Sequence, residues 1–192
     1  MSQVFVSGHK SPDTDSIAAA LSYSYLKRRL GMDAVAVRAG EINKESRFAL
    51  DYFDLEEPIL VTSVARKNPE DEKQKVILVD HNESKQTIDG MDDAEVLEII
   101  DHHRFGDFES ENPIFILVRP VGCVNTVIYG LYKANHIKPS REIAGIMLSA
   151  IISDTVLFRS PTTTEEDKET AKELAEIAGV DYEAYGMEML KA

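Results

Sequence analysis

Val76-Ile77-Leu78-Val79-Asp80-His81-Asn82-Glu83 decides the fold. Four apolar residues without polar alternation make a strand buried on both faces, as in a parallel sheet. A polar, ionisable cluster follows at once, at the carboxyl end of that strand. The pattern recurs outward in both directions. Val4 to Ser7 is a short β-rich run ending at Gly8, and His9-Lys10-Ser11-Pro12-Asp13-Thr14-Asp15-Ser16 follows. Val96 to Ile100 runs into Asp101-His102-His103-Arg104.

The intervening segments read as further strands and helices. An amphipathic helix is expected from about Asp15 to Leu30, stopped by Gly31, and a second strand at Ala34 to Val37. Lys44 to Tyr52 reads as a helix, Ile59 to Val64 as a strand, and Arg66 to Lys75, with Asn68-Pro69, as a surface loop. Ile114 to Val118 is a strand candidate. Helices are expected at Cys123 to Ala134, Glu142 to Ser153, Thr164 to Ala178 and Tyr182 to Lys191, the third opening on a capping box at Thr164. Alternating strands and helices predict an α/β domain: an open, mostly parallel sheet with helices on both faces. No repeat or linker interrupts residues 1–192, which read as a single domain.

Composition narrows the function. The 192 residues carry a formal net charge of -13, which argues against nucleic-acid or membrane partners, since both present negative charge. The acidic excess reads mostly as solvated surface, with a smaller share in a carboxylate-rich metal site. No apolar run reaches membrane-spanning length, and Met1 to Val6 lacks the basic flank and apolar core of a signal peptide. A single cysteine, Cys123, allows no intrachain disulfide. These features predict a soluble cytoplasmic protein.

Ligands of open α/β sheets collect at the carboxyl ends of the strands. Three such ends here deliver His and Asp, and Ser153-Asp154-Thr155 adds a carboxylate near the end of a helix. Mixed imidazole and carboxylate donors suit manganese, iron, cobalt or zinc, and a carboxylate majority shifts the balance toward manganese or magnesium. Two cations roughly 3.5–4 Å apart can share a carboxylate and a water, activating the water while neutralising phosphate oxygens. His9 and Asp13 can reach one ion from the loop that Pro12 stiffens, and Asp15 a neighbouring one. Asp80 stands where it could bridge both, and His102 follows the next strand. Spacing alone supports Asp154 least. Each residue also has a plainer reading. Asp13 and Asp15 fit a helix N-cap pair. His102-His103 fits a polar turn. His81 suits a structural role, bonded to a neighbouring loop, and His136 sits in a turn context. Asp101 suits the orientation of a histidine ligand through its ring N–H.

Asp101-His102-His103 resembles the signature of the DHH phosphoesterase superfamily, and Gly8-His9-x-x-Pro12-Asp13-x-Asp15 resembles its first motif. Val79-Asp80-His81-Asn82-Glu83 and Ser153-Asp154-Thr155 are similar to its second and fourth motifs. Pro12-Asp13-Thr14-Asp15-Ser16, Arg119-Pro120-Val121-Gly122-Cys123 and the segment Gly145 to Asp154 are closest to family II, manganese-dependent inorganic pyrophosphatases. The resemblance implies that His9, Asp13 and Asp80 bind one Mn2+, and that Asp15, Asp80, His102 and Asp154 bind a second. Cobalt, magnesium or zinc are implied as substitutes, with Mg2+ arriving on pyrophosphate. A hydroxide between the cations would be the nucleophile, so that Asp80 counts as catalytic as well as bridging. His103 would contact substrate and protonate the leaving phosphate. A homodimer through this domain is also implied.

Family members carry a C-terminal domain (DHHA2) whose basic residues clamp the substrate, and residues 1–192 stop about where its linker would begin. The expectation is therefore a catalytic core with sharply reduced turnover, because an open site admits water. The alternatives are a phosphodiesterase or exopolyphosphatase of the same superfamily, acting on oligonucleotides, cyclic dinucleotides or polyphosphate, and a non-catalytic metal- or phosphate-binding module.

Overall fold

The computed structural model describes residues 2–192; Met1 lies outside the described residues. Six strands form one sheet: β1 (Val4–Ser7), β2 (Ala34–Arg38), β3 (Ile59–Leu60), β4 (Lys75–Val79), β5 (Glu95–Asp101) and β6 (Phe115–Val118). Their order is β3-β2-β1-β4-β5-β6, and every pairing is parallel. The chain winds outward from β1 in one direction, then restarts at β4 in the other. Between β1 and β4 lies the switch point, where diverging connections leave a crevice at the carboxyl ends of the strands.

Six α-helices accompany the sheet: α1 (Thr14–Arg29), α2 (Lys44–Tyr52), α3 (Val124–Ala134), α4 (Arg141–Thr155), α5 (Glu165–Ala178) and α6 (Tyr182–Met189). They share one core with Val4, Val6, Ile77, Val79 and Ile100. The alternate strand residues Val76, Leu78 and Ile99 face a smaller core on the other side. Val64, Ile88, Phe108 and Ile114 complete it, so long loops and two 3-10 turns, Ser84–Gln86 and Met91–Asp93, cover that face. The α/β class and the parallel sheet are as the pattern predicts; the cover is thick on one face and thin on the other.

Helix α1 departs from its expected amphipathicity. Nearly every residue from Thr14 to Leu26 is buried, because α1 lies between the sheet and α4. Its small residues Ala18, Ala19 and Ala20 permit that close double packing. Likewise Gly145 lets α4 meet α2: a Cβ there would stand 2.3 Å from the Phe53 ring. The expected strand 59–64 shrinks to two residues, since only Ile59 and Leu60 find partners on β2. Both are exposed, and of the run only Val64 is buried in the core. The capping box forms as expected, with Thr164 and Asp167 satisfying each other's backbone N–H. No helix among the described residues is long and apolar enough to cross a membrane.

Candidate metal centre

The crevice between β1 and β4 gathers all six residues expected to ligate metal. His9 leaves β1 after Gly8, where the backbone runs hard against α1. A Cβ at Gly8 would stand 2.3 Å from Ser16 Oγ, the atom that accepts the His9 N–H at 2.9 Å. Asp13 caps α1, its Oδ1 accepting the Ser16 N–H at 2.9 Å. The capping reading and the ligand reading are therefore compatible, because Asp13 Oδ2 lies 3.5 Å from His9 Nε2.

Asp80 stands at the centre. It follows β4 in the left-handed conformation, φ 62°, which aspartate adopts more readily than most residues because its short polar side chain can bond locally. Its carboxylate is buried, and neither oxygen has a hydrogen-bond partner among the described residues. Oδ2 faces His9 Nε2 at 3.3 Å, and Oδ1 faces His102 Nε2 at 3.2 Å. His102 Nε2 also lies 3.5 Å from Asp15 Oδ2 and 3.8 Å from Asp154 Oδ2. Helix α4 thus brings in the residue whose spacing was least informative. Immediately beyond Thr155 the chain turns through three left-handed residues, Val156, Leu157 and Phe158, with Thr155 Oγ1 accepting the Phe158 N–H at 3.2 Å.

The imidazoles are oriented by backbone. The Nδ1 of His9 donates to the Lys10 carbonyl at 2.7 Å, and that of His102 to the Val121 carbonyl at 2.9 Å. A carbonyl only accepts, so Nδ1 carries the proton in each ring. In the neutral rings Nε2 is then a lone pair aimed at carboxylate oxygens, an arrangement that needs a positive charge in between. Two donors on one cation at about 2.1 Å and a right angle stand ~3 Å apart, near the spacings here. The donor set fits a pair of divalent cations sharing Asp80.

Without cations, protons take their place. Burial would lower the pKa of His9, but Asp13 and Asp80 outweigh it and raise it to about 11. Burial likewise opposes, and Asp80 and Asp15 overcome, the rise of His102 to about 10. Burial, then the charge of Asp15, pushes Asp154 up to about 12. Asp15 rises to about 6 through burial and the charge of Asp80. Asp80 is itself held low: burial works against its charge, but His102 and His9 prevail.

His103 borders these ligands, half-exposed, with Nδ1 3.8 Å from Asp80 Oδ1 and 2.7 Å from Asp101 Oδ1. Asp101 therefore orients His103, whereas a carbonyl orients His102. Asp101 is fixed in turn by Asn82, whose Nδ2 donates to Oδ2 at 2.7 Å. His81 is structural in its contacts: Nδ1 donates at 2.8 Å to the carbonyl of Val79, on its own strand rather than a neighbouring loop. Burial lowers its pKa to about 4, keeping the ring neutral. His136 lies away in a left-handed turn after α3.

Sequence reasoning missed the cradle of Asp15. Its Oδ2 accepts the Val124 N–H at 2.9 Å, and Oδ1 accepts from Asn125 Nδ2 at 2.6 Å and the Cys123 thiol at 2.9 Å. The N-terminus of α3 thus holds a carboxylate supplied by α1, as helix N-termini favour. It also missed the wider reach of Asp167, the capping-box partner of Thr164, which accepts the Gly122 N–H at 2.8 Å and the Thr126 hydroxyl at 2.6 Å. Asn125 reads in sequence as an ordinary helix residue and Asp167 as a cap alone; only the packing shows what else they hold.

Two curated relatives, each called probable manganese-dependent inorganic pyrophosphatase, come from Exiguobacterium sp. and Bacillus licheniformis. Each is 54% identical over all 192 residues, and the chain spans 60% of the length of either. A crystal structure of a Methanococcus jannaschii protein assigned to the family II inorganic pyrophosphatases is 43% identical, with TM-score 0.88, over 98% of this chain and 61% of that one. An exopolyphosphatase-related protein from Bacteroides fragilis shares the fold at TM-score 0.70 and 18% identity, over 99% of this chain and 56% of its own. The family described as DHH family, N-terminal domain, matches residues 3–151, a span holding the strand-end motifs from His9 to His103. With those motifs drawn together around Asp80, the chain belongs to the DHH family.

Proposed function

We propose that the chain hydrolyses inorganic pyrophosphate to two phosphates with two Mn2+ ions held in the crevice. The observation that carries this reading is Asp80: one buried carboxylate with no hydrogen-bond donor among the described residues, its two oxygens each facing the Nε2 of a different histidine. His9, Asp13 and Asp80 hold the first ion, and Asp15, Asp80, His102 and Asp154 the second. Bound there, the ions would supply positive charge to the phosphate oxygens and make a water acidic enough to attack at neutral pH.

The chain's own groups do the rest. Val124 N–H, Asn125 and Cys123 fix Asp15, so that its position does not depend on the ion. The carbonyls of Lys10 and Val121 hold the His9 and His102 rings in the tautomer that presents Nε2. Asp101 holds the Nδ1 proton of His103 and raises that ring's pKa. His103 Nε2 then carries a proton for the leaving phosphate, in the role of general acid. The acidic surface favours a small phosphate complexed to Mg2+ over nucleic acid or a membrane. A single buried thiol suits a cytoplasmic setting. A homodimer forms through β6, an edge strand on which Phe115 and Ile116 stay exposed.

The test is phosphate release by the metal-free chain after titration with Mn2+, using pyrophosphate beside a short oligonucleotide and a polyphosphate. Pyrophosphate is expected to be preferred, with activity saturating at two Mn2+ per chain. Faster cleavage of either longer substrate would transfer the assignment to another branch of the family. Ion uptake without hydrolysis of any of the three would leave only a binding module.

A further inference from the structure

Glu45 lies in the first turn of α2, outside every motif that points to metal. Its Oε1 receives two hydroxyl hydrogen bonds, from Thr14 Oγ1 at 2.6 Å and from Ser153 Oγ at 2.6 Å. Thr14 stands between Asp13 and Asp15, and Ser153 directly precedes Asp154. One carboxylate oxygen thus joins the start of α1 to the end of α4, next to three of the residues proposed to hold metal. An ionised carboxylate only accepts, so both hydroxyls spend their single proton on it. Thr14 Oγ1 lies 3.1 Å from Ser46 Oγ, and because its proton is committed to Glu45, Ser46 must be the donor there. The arrangement leaves neither hydroxyl free to rotate.

This junction meets a physical need. Asp15 enters the site from the start of α1 and Asp154 from the end of α4, yet their Oδ2 atoms converge on His102 Nε2 at 3.5 and 3.8 Å. That convergence requires the two helix ends to keep a fixed spacing. Glu45 sets that spacing by holding the hydroxyls on both sides, not the carboxylates themselves. Strong hydrogen bonds to a charged acceptor suit such a tie.

We infer that Glu45 is a positioning residue for the second cation, clasping Thr14 and Ser153 so that Asp15 and Asp154 stand at ligand spacing before the ion arrives. The inference rests on the two-cation reading above. Partners that orient metal ligands are worth about 10- to 100-fold in affinity. Glu45→Ala removes the acceptor. Glu45→Gln keeps a carbonyl oxygen that can take both hydroxyl bonds.

Site-resolved Mn2+ binding by the metal-free chain, followed by electron paramagnetic resonance and calorimetry, tests this. Glu45→Ala is expected to weaken the second ion by about 10- to 100-fold and the first by less than about threefold, while Glu45→Gln stays within about threefold of wild type for both. A merely structural role would lower the melting temperature of the metal-free protein and spare the difference between sites. Should Glu45→Ala fail to fold, Ser153→Ala and Thr14→Val each remove one arm, and each should weaken the second ion alone. Unchanged affinity in the alanine variant, or equal loss in both Glu45 variants, overturns the inference. A wild-type chain that takes up fewer than two ions defeats the two-cation reading itself, and that result appears before any substitution is made.

Discussion

His9 Nε2 and Asp80 Oδ2 meet at 3.3 Å across the junction of β1 and β4, the two strands from which the chain winds in opposite directions. The contact joins positions 9 and 80, and the other oxygen of Asp80 extends it to His102. One carboxylate therefore links both halves of the site, and the first prediction addresses it.

Asp80→Asn keeps the size of the side chain and tolerates the left-handed backbone. It replaces an anionic oxygen by an amide donor facing an imidazole. Affinity for both Mn2+ ions should fall by more than about 100-fold, exceeding the usual loss for a group that only orients a ligand. Circular dichroism should remain that of the folded wild type. Retention of one tight ion would show that Asp80 serves a single cation.

The metal-free protein should lose stability as pH rises. His9 and His102 have folded pKa values of about 11 and 10, above the ordinary 6.5. Their contribution is complete below pH 6.5 and disappears as pH climbs through 10 to 11, because the folded state holds protons that the unfolded state has released. The raised Asp154, near 12, acts in the same direction from about pH 4 upward. Mn2+ displaces these protons, so its affinity should rise over the same interval. Melting curves at pH 7 and 9, with and without Mn2+, check both signs; a metal-free melting point that climbs with pH contradicts the first.

His103→Gln should reduce kcat by about 10²- to 10³-fold and leave Mn2+ content unchanged, as for a lost general acid. Asp101→Asn should fall in the same direction by less and shift the acidic partner of the pH–rate profile, since Asp101 raises the pKa of His103. Steady-state kinetics with metal analysis separates these outcomes from loss of an ion.

Asp167→Ala should destabilise the fold by roughly 3 kcal/mol, since it strands several buried donors at once. The backbone N–H groups of Gly122 and Thr164 and the hydroxyl of Thr126 all lose their acceptor. Chemical denaturation measures the loss; a change below about 0.5 kcal/mol would mean that water replaces the carboxylate without cost.

Ile116→Lys on β6 should convert a dimer to a monomer without altering the crevice. Ile116 is exposed on the sheet edge, where a charge opposes strand pairing. Sedimentation of wild type and variant decides it, and an unchanged mass places the contact elsewhere.

Much of the fold was legible because strand-length apolar runs ended in ionisable residues, and Val76 to Val79 alone announced a buried parallel strand. All six expected ligands proved to be neighbours. What stayed hidden depended on packing between distant segments. Asn125 reads as a first-turn amide until α3 meets Asp15, 110 positions away. Glu45 reads as a first-turn acid until α1 and α4 converge on it. The length of β3 was overestimated because an apolar run reports hydrophobicity, not the presence of a partner strand. The burial of α1 on all sides was missed for the converse reason: its alanines and serines look indifferent to solvent until α4 covers them.

The strand order carries a kinetic corollary. β1 and β4 lie side by side, Val6 opposite Ile77, although α1, β2, α2 and β3 intervene in the chain. Such remote pairings complete late, after the loop-closure entropy has been overcome. A cation that needs His9 and Asp80 together can grip only a molecule that has already passed its folding barrier. Manganese should therefore act as a brake on unfolding, lengthening the lifetime of the native state, while the rate of refolding from denaturant stays that of the bare polypeptide.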